Sequence, residues 1–399
     1  MRHRLTVLIL SSVSVTAPLI ARPVNQDRSS RAAAGPSDST YTIPFDLSGS
    51  TVLLPVRVNG SKPLWFILDS GANTCLLAKT RASELGIKPR EASEGTGAGA
   101  GPVQYWKLAE QYVAFSTEGV AFSCAHLGAV DLSNQLPLLG HEVDGILGTD
   151  FFRRFVVQID YDAQIVRLFG PSMFRYAGRG ESLPLTFERR LPYVTATITV
   201  LGQSPQRRTL LVDTGSEDAV DDSVMLLSAG LRQEVVGGIG LGQPYRVTMA
   251  RSDTVRIGPF VLRDVPGVAP GVALIGGEVW RRFTVIFELA QRRLILEPNR
   301  HFSDEFLDFD RSGLTLRLVP DRDDLLVDEV YPETPAAATD VHAGDIITAV
   351  DGVPAADYGL RRVQHLFAGH NAVYRLSITR GPQRLERVLR LTPGGTIKP

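Results

Sequence analysis

Apolar positions along this chain fall in short runs rather than long ones. Residues 54 to 60 alternate, Leu-Pro-Val-Arg-Val-Asn-Gly, and residues 64 to 71 follow with Leu-Trp-Phe-Ile-Leu-Asp-Ser-Gly. Alternation predicts a strand with one face buried, and a solid apolar run of this length predicts a strand buried on both faces. The pattern returns later: residues 191 to 202 read LPYVTATITVLG and residues 209 to 215 read TLLVDTG. Each unit is an alternating strand, a short turn, and an apolar strand ending in Asp-Ser/Thr-Gly.

The repeat extends downstream. Residues 145 to 155, GILGTDFFRRF, align with residues 273 to 283, ALIGGEVWRRF, at a single offset of 128. A β-rich stretch follows each copy. The interval from Asp to Gly is 79 residues in the first unit (Asp69 to Gly148) and 63 in the second (Asp213 to Gly276), so the first carries the longer insertion. Helix is expected only briefly, near Ala78–Leu85 and after Gly148 and Gly276. Two copies of a strand-rich unit predict a mainly β fold with two similar barrel-like lobes about a pseudo-two-fold axis.

At 399 residues the chain has room for roughly two or three domains. A net charge of -1 gives no basic field for nucleic acid. Two cysteines, Cys75 and Cys124, exclude a disulfide scaffold and a Cys-rich zinc module. They are either a pair or two buried thiols. Seven histidines include no His-Glu-x-x-His pair. Neither a Gly-x-x-x-x-Gly-Lys loop nor a Gly-x-Ser-x-Gly elbow is present.

The chemistry-bearing residues that remain are Asp69 and Asp213. Each ends an apolar strand that would hold its carboxylate on a rigid element. Gly71 and Gly215 permit a tight turn and can offer amides to the carboxylates. Ser70 and Thr214 can tie one loop to the other. If the lobes face each other, the two carboxylates meet, and two at contact distance share one proton. Such a pair can activate a water and polarise a carbonyl.

This arrangement resembles the retropepsin-like aspartic proteases in a fused, two-lobed, single-chain form. The residues that carry the resemblance are Asp69-Ser70-Gly71-Ala72 and Asp213-Thr214-Gly215-Ser216, with Ile146-Leu147-Gly148 and Leu274-Ile275-Gly276 behind them. It spans residues 41–178 for the first lobe and 179–298 for the second. It implies that Asp69 and Asp213 form a catalytic dyad, that no metal or organic cofactor takes part, and that the substrates are proteins or peptides. Both loops lie in one chain, so a monomer suffices. Flaps are expected in the glycine-rich segments 95 to 106 and 237 to 245, with Gly97, Gly99, Tyr105, Gly240 and Tyr245 near substrate. Glu217 and Asp218 follow the second loop; the simplest reading turns both into solvent, and the alternative adds negative charge to the site.

Residues 299–310 read as a connector packed on a lobe. The segment 311–395 resembles a PDZ domain, a small β-sandwich or barrel with one or two helices. Pro335-Ala336-Ala337, Ala343-Gly344-Asp345-Ile346-Ile347 and Val350-Asp351-Gly352 carry that resemblance. It implies a groove beside Gly313, Leu314 and Leu316 that accepts a peptide as an added strand, with amides around Gly313-Leu314 holding a terminal carboxylate. Thr315 stands where the family's loop has a second glycine. A PDZ domain can recruit or position substrate for the lobes; in the alternative reading the lobes are a non-catalytic peptide-holding scaffold and the PDZ domain is its second contact.

At the other end, Arg2 and Arg4 precede a short apolar run from Leu5 to Ile20. Residues 1–21 read as an export signal, or as an anchor if uncleaved, and residues 22–40 as a disordered linker. The expected location is periplasmic or extracellular, tethered to a membrane in the uncleaved case.

Overall fold

The computed structural model describes residues 40–108, 113–230, 232–237, 240–243, 245–306, 310–319, 322–369 and 372–391. The expected signal and nearly all of the expected linker lie outside them. The fold is mainly β.

In the first lobe, Leu64–Leu68 pairs antiparallel with Thr51–Val58 and parallel with Gly145–Leu147. Gly145–Leu147 also pairs antiparallel with Cys75–Ala78, so it threads between two strands that are close in sequence. The second lobe repeats this, with Leu274–Ile275 between Gln206–Val212 and Val220–Asp221. These are the central apolar runs of the repeat, buried because helix or sheet covers both faces. Short helices follow each copy, Lys79–Glu84, Thr149–Arg154 and Gly277–Trp280.

A third sheet belongs to both lobes. Its order is Tyr41–Pro44, Ile165–Phe169, Val156–Asp160, Phe283–Glu288, Arg293–Pro298, Glu181–Pro184. Three strands come from each half of the repeat, and the halves join where Val157 faces Phe287 and Ile159 faces Val285. All four side chains are buried. Phe152 meets Phe287 edge to face across the same boundary with ring centroids 4.8 Å apart. One hydrophobic core therefore runs through both lobes. Burying each such aromatic contributes on the order of 1.5–3 kcal/mol, which holds the lobes in a fixed relation.

Cys75 and Cys124 form a disulfide, tying the strand beside the first loop to the turn after Val120–Phe122. The segment after Pro298 packs on the second lobe. Arg282, 1 % exposed, gives its guanidinium to the carbonyls of His301, Asp304 and Glu305 and lies 3.6 Å from the Phe306 ring centroid.

The C-terminal unit is a sheet in the order Leu314–Leu318, Leu325–Val330, Ile346–Val350, Val373–Arg380, Gln383–Arg390. The helix Ala355–Phe367, interrupted at Gly359, covers a separate core that includes Leu316, Val327, Val363 and Phe367. No helix among the described residues is long and apolar enough to cross a membrane.

Candidate active site

Asp69 follows directly on Leu64–Leu68, and its amide donates to the carbonyl of Leu147 at 3.0 Å. Asp213 does the same to Ile275 at 3.0 Å. The two carboxylates thus sit at equivalent corners of the two lobes, each fixed by a parallel strand pair.

The loops grip each other across the lobe boundary. The Thr214 hydroxyl donates to the Leu68 carbonyl at 2.7 Å and accepts from the Ser70 amide at 3.0 Å. The Ser70 hydroxyl donates to the Val212 carbonyl at 2.6 Å and accepts from the Thr214 amide at 3.1 Å. Both hydroxyl residues are fully buried. Four buried hydrogen bonds with two-fold logic set the loop spacing.

The carboxylates are held from below by amides. Asp69 Oδ1 accepts from Gly71 at 2.7 Å and Ala72 at 3.0 Å. Asp213 Oδ1 accepts from Gly215 at 2.9 Å and Ser216 at 3.2 Å. Each carboxylate also lies against the other loop's glycine: a Cβ on Gly71 would lie 2.4 Å from Asp213 Cγ, and one on Gly215 2.4 Å from Asp69 Cγ. Burial, then the charge of Asp213, holds Asp69 well above the ordinary carboxylate range. Burial also raises Asp213, against the lowering pull of the Gly215 amide and of Asp69. The protonation of each acid therefore depends on the other.

Above the dyad, the two glycine-rich segments are the tips of hairpins. Pro89–Gly95 pairs with Val103–Leu108, and Arg232–Gly237 with Tyr245–Ile257. Their tips meet. Ala100 and Gln243 exchange amide-to-carbonyl bonds of 2.6 and 2.8 Å, and the Gly242 amide donates to Ala98 at 2.7 Å. Glycine is required there: a Cβ on Gly99, at φ +112°, would lie 2.7 Å from the backbone of Gly242, and one on Gly240 would lie 2.6 Å from the Ala98 side chain. Gly97 packs beside Leu241. The tips of the two segments expected as flaps form a bridged pair, an arrangement no local pattern in the sequence announces.

Tyr105 lies under the first flap, its hydroxyl donating to Thr96 at 2.8 Å. Burial and then the charge of Asp69 push it up to about 12. Tyr245 instead donates to the carbonyl of Pro270 at 2.9 Å, at the base of the second flap.

Four site features were not legible in the sequence. Asn134 and Gln135 of the first lobe donate to Gly240 of the second flap at 3.3 and 3.2 Å. Asp221, 7 % exposed, is pushed up to about 8 by burial and then by the charges of Asp218 and Asp222. Asp218 meets solvent on its outer side, yet the protein around it and the charge of Asp213 push it up to about 6. Glu217 corrects the solvent-facing reading: it pairs with Arg361 of the C-terminal helix, and burial still raises it. The reason is tertiary, since Arg361 stands 144 residues away. Among the described residues no three His, Cys, Asp or Glu side chains form a metal-binding group.

In the C-terminal unit, Gly313 has φ +77°, and a Cβ there would meet Thr334 at 2.2 Å. Leu314 and Leu316 face the core. The expected terminal-carboxylate loop needs correction. The Ser312 amide donates to the carboxylate of Asp310 at 2.7 Å, and the Leu314 amide donates to the Ser312 hydroxyl at 3.1 Å. Asp310, pushed up to about 6 by burial, thus takes an amide next to the expected loop.

Comparison with known proteins agrees with this two-part architecture. Residues 54–151 match the family model described as aspartyl protease, and residues 309–378 match the model described as PDZ domain. The first match takes in the Asp69 loop and stops short of the Asp213 loop. A Synechocystis protein named as a serine protease, HhoA, is 40% identical over 70 residues, which is 17% of this chain and 17% of that protein. The chain thus matches about a sixth of that relative's length. One chain thus carries a stretch that matches a protease model and a stretch that matches a PDZ model.

Proposed function

We propose that this chain is an aspartic-type endopeptidase. The observation that carries the reading is the pair of carboxylates, Asp69 and Asp213, brought together by loops that hydrogen-bond across the lobe boundary. Two acids in one buried place hold one proton between them in the working state. The ionised member takes a proton from a water as its oxygen bonds to the scissile carbonyl carbon. The protonated member donates to the carbonyl oxygen. Collapse of the resulting diol then breaks the C–N bond, with the amine leaving protonated. No covalent intermediate with the chain is needed. The bridged flaps would open to admit a peptide and close to exclude water.

Serine-type chemistry, as in the name of the relative, has less support. The dyad loops hold two serines: the Ser70 hydroxyl is buried and engaged by Val212 and Thr214, and the Ser216 hydroxyl accepts from the Asp218 amide at 3.2 Å. The Cys75–Cys124 disulfide supports an oxidising compartment, and so export.

The test is cleavage of a diverse peptide mixture, read by mass spectrometry from acid to neutral pH, for the parent chain, Asp69→Asn and Asp213→Asn. Internal cleavages lost in both variants support the dyad. Cleavage that survives both substitutions overturns it.

A further inference from the structure

The C-terminal unit does not stand apart from the lobes. Its strand Leu314–Leu318 is an edge: among the described residues it ladders only to Leu325–Val330. An added peptide strand would need that free edge, with the helix Ala355–Phe367 as the other wall. The helical turn Gln135–Leu139 of the first lobe packs against this strand. The next residue, Gly140, reaches the helix: a Cβ there would lie 3.6 Å from the Leu360 Cβ. One short segment therefore touches both walls of the groove, and Leu314, Leu316 and Leu360 are all buried.

Two ion pairs fasten the same face. Arg361, next to Leu360, pairs with Glu217, two residues beyond the Gly215 loop glycine. Arg246 on the second flap's strand pairs with Glu329 at 3.1 Å. The segment in the groove also continues to the flaps, because Asn134 and Gln135 hold the carbonyl of Gly240.

We infer that the groove is an interaction surface whose resident occupant is the chain's own segment 134–140, and that it is opened by an internal apolar peptide segment rather than by a chain terminus. Internal segments are favoured because Asp310 and Ser312 already take the amides that would hold a terminal carboxylate. Displacing the occupant removes the Asn134 and Gln135 contacts from the second flap tip. Peptide binding at the groove is thereby coupled to flap opening. The inference rests on the proposed peptidase only for its consequence, and its test is independent of cleavage.

The experiment uses the full chain carrying Asp69→Asn, so that no probe is consumed. The probe is a synthetic, C-terminally amidated copy of residues 133–142, compared with a free-carboxylate copy of residues 133–139. Three proteins are measured: this parent, Arg361→Ala, and Gly140→Cys with Leu360→Cys, whose Cβ separation suits a disulfide. A closed state lowers apparent affinity by the fraction of open molecules. The amidated probe should bind Arg361→Ala about tenfold or more tighter than the parent and fail to bind the oxidised cross-linked protein. The free-carboxylate copy should hold no advantage. Hydrogen exchange should quicken in Arg361→Ala at 134–140 and at both flap tips, with the shared sheet at 156–160 and 283–288 unchanged. If Arg361→Ala loses protection in the shared sheet, Glu217→Gln breaks the same contact from the other side. Equal affinity in all three proteins, preference for the carboxylate, or opening of 134–140 without the flaps overturns the inference.

Discussion

The backbone of Gly71 lies flat against the carboxylate of Asp213, so close that a Cβ at Gly71 would stand 2.4 Å from the Asp213 Cγ. Gly215 bears the same relation to Asp69, also at 2.4 Å. Each loop's glycine is therefore the floor for the other loop's acid. The smallest side chain, added at either glycine, would push the carboxylates apart. Gly71→Ala and Gly215→Ala should each abolish peptide cleavage while circular dichroism stays unchanged.

Removing either acid tests the shared proton directly. Asp69→Asn and Asp213→Asn should each lower kcat/KM by about 10²–10⁴-fold, the range of a general acid or base. Neither should lower Tm, because an amide relieves the crowding of two buried acids. A fall in Tm with activity retained would contradict the role given to the pair.

The hydroxyl grip makes a stability prediction. Thr214→Val keeps the shape but leaves the buried Ser70 amide and the Leu68 carbonyl without their partner. The expected loss is about 1–3 kcal/mol for each buried group left unsatisfied. Urea unfolding would read it, and Thr214→Ser should recover most of it.

Stability should fall from mildly acidic to mildly alkaline pH. Asp69, Asp213, Asp218, Asp221 and Asp310 all have folded-state values raised above those of the unfolded chain. A raised group makes the folded state hold more protons, so its stabilising contribution is present at low pH and is lost as pH rises through its folded value. Asp218 and Asp310 lose theirs towards about 6, and Asp221 towards about 8. Asp345, lowered in spite of burial by Arg380, acts in the opposite sense at lower pH. The urea midpoint should therefore drop between about pH 5 and pH 8.5, and Asp221→Asn should flatten the upper part of that drop. An unchanged slope in Asp221→Asn would refute the assignment.

The flap bridge can be broken without touching the dyad. Gly99→Val meets both obstacles, the positive φ and the Gly242 backbone at 2.7 Å. The tips should fail to meet. The expected result is a lower kcat/KM, with faster hydrogen exchange at 97–101 and 240–243 and little change in Tm.

Much of this molecule was legible before its coordinates. The strand, the Asp-Ser/Thr-Gly loop and the apolar pair before Gly148 or Gly276 are local patterns, and duplication made each copy confirm the other's register. Brief helices after Gly148 and Gly276 followed from the same alignment. What stayed hidden depends on residues distant in sequence. Glu217 looked like a solvated charge because Arg361 lies in another unit. Nothing local marked Asp221, since its low exposure comes from the fold around it. Asp310 sat in an acidic, aromatic connector, and nothing there marked its carboxylate as the acceptor of an amide next to the expected loop.

The shared sheet has a consequence for the chain as an object that can be cut. The halves cross over between Phe169 and Glu181, and each contributes three strands in the same order from edge to centre. A break at that crossover would leave two fragments that recognise each other by backbone pairing along Val156–Asp160 and Phe283–Glu288. Either fragment alone would present that strand as a bare edge carrying Val157 and Ile159, or Val285 and Phe287. Such an edge pairs with whatever strand it meets, so the unpartnered fragment should aggregate and the mixed pair should reassemble.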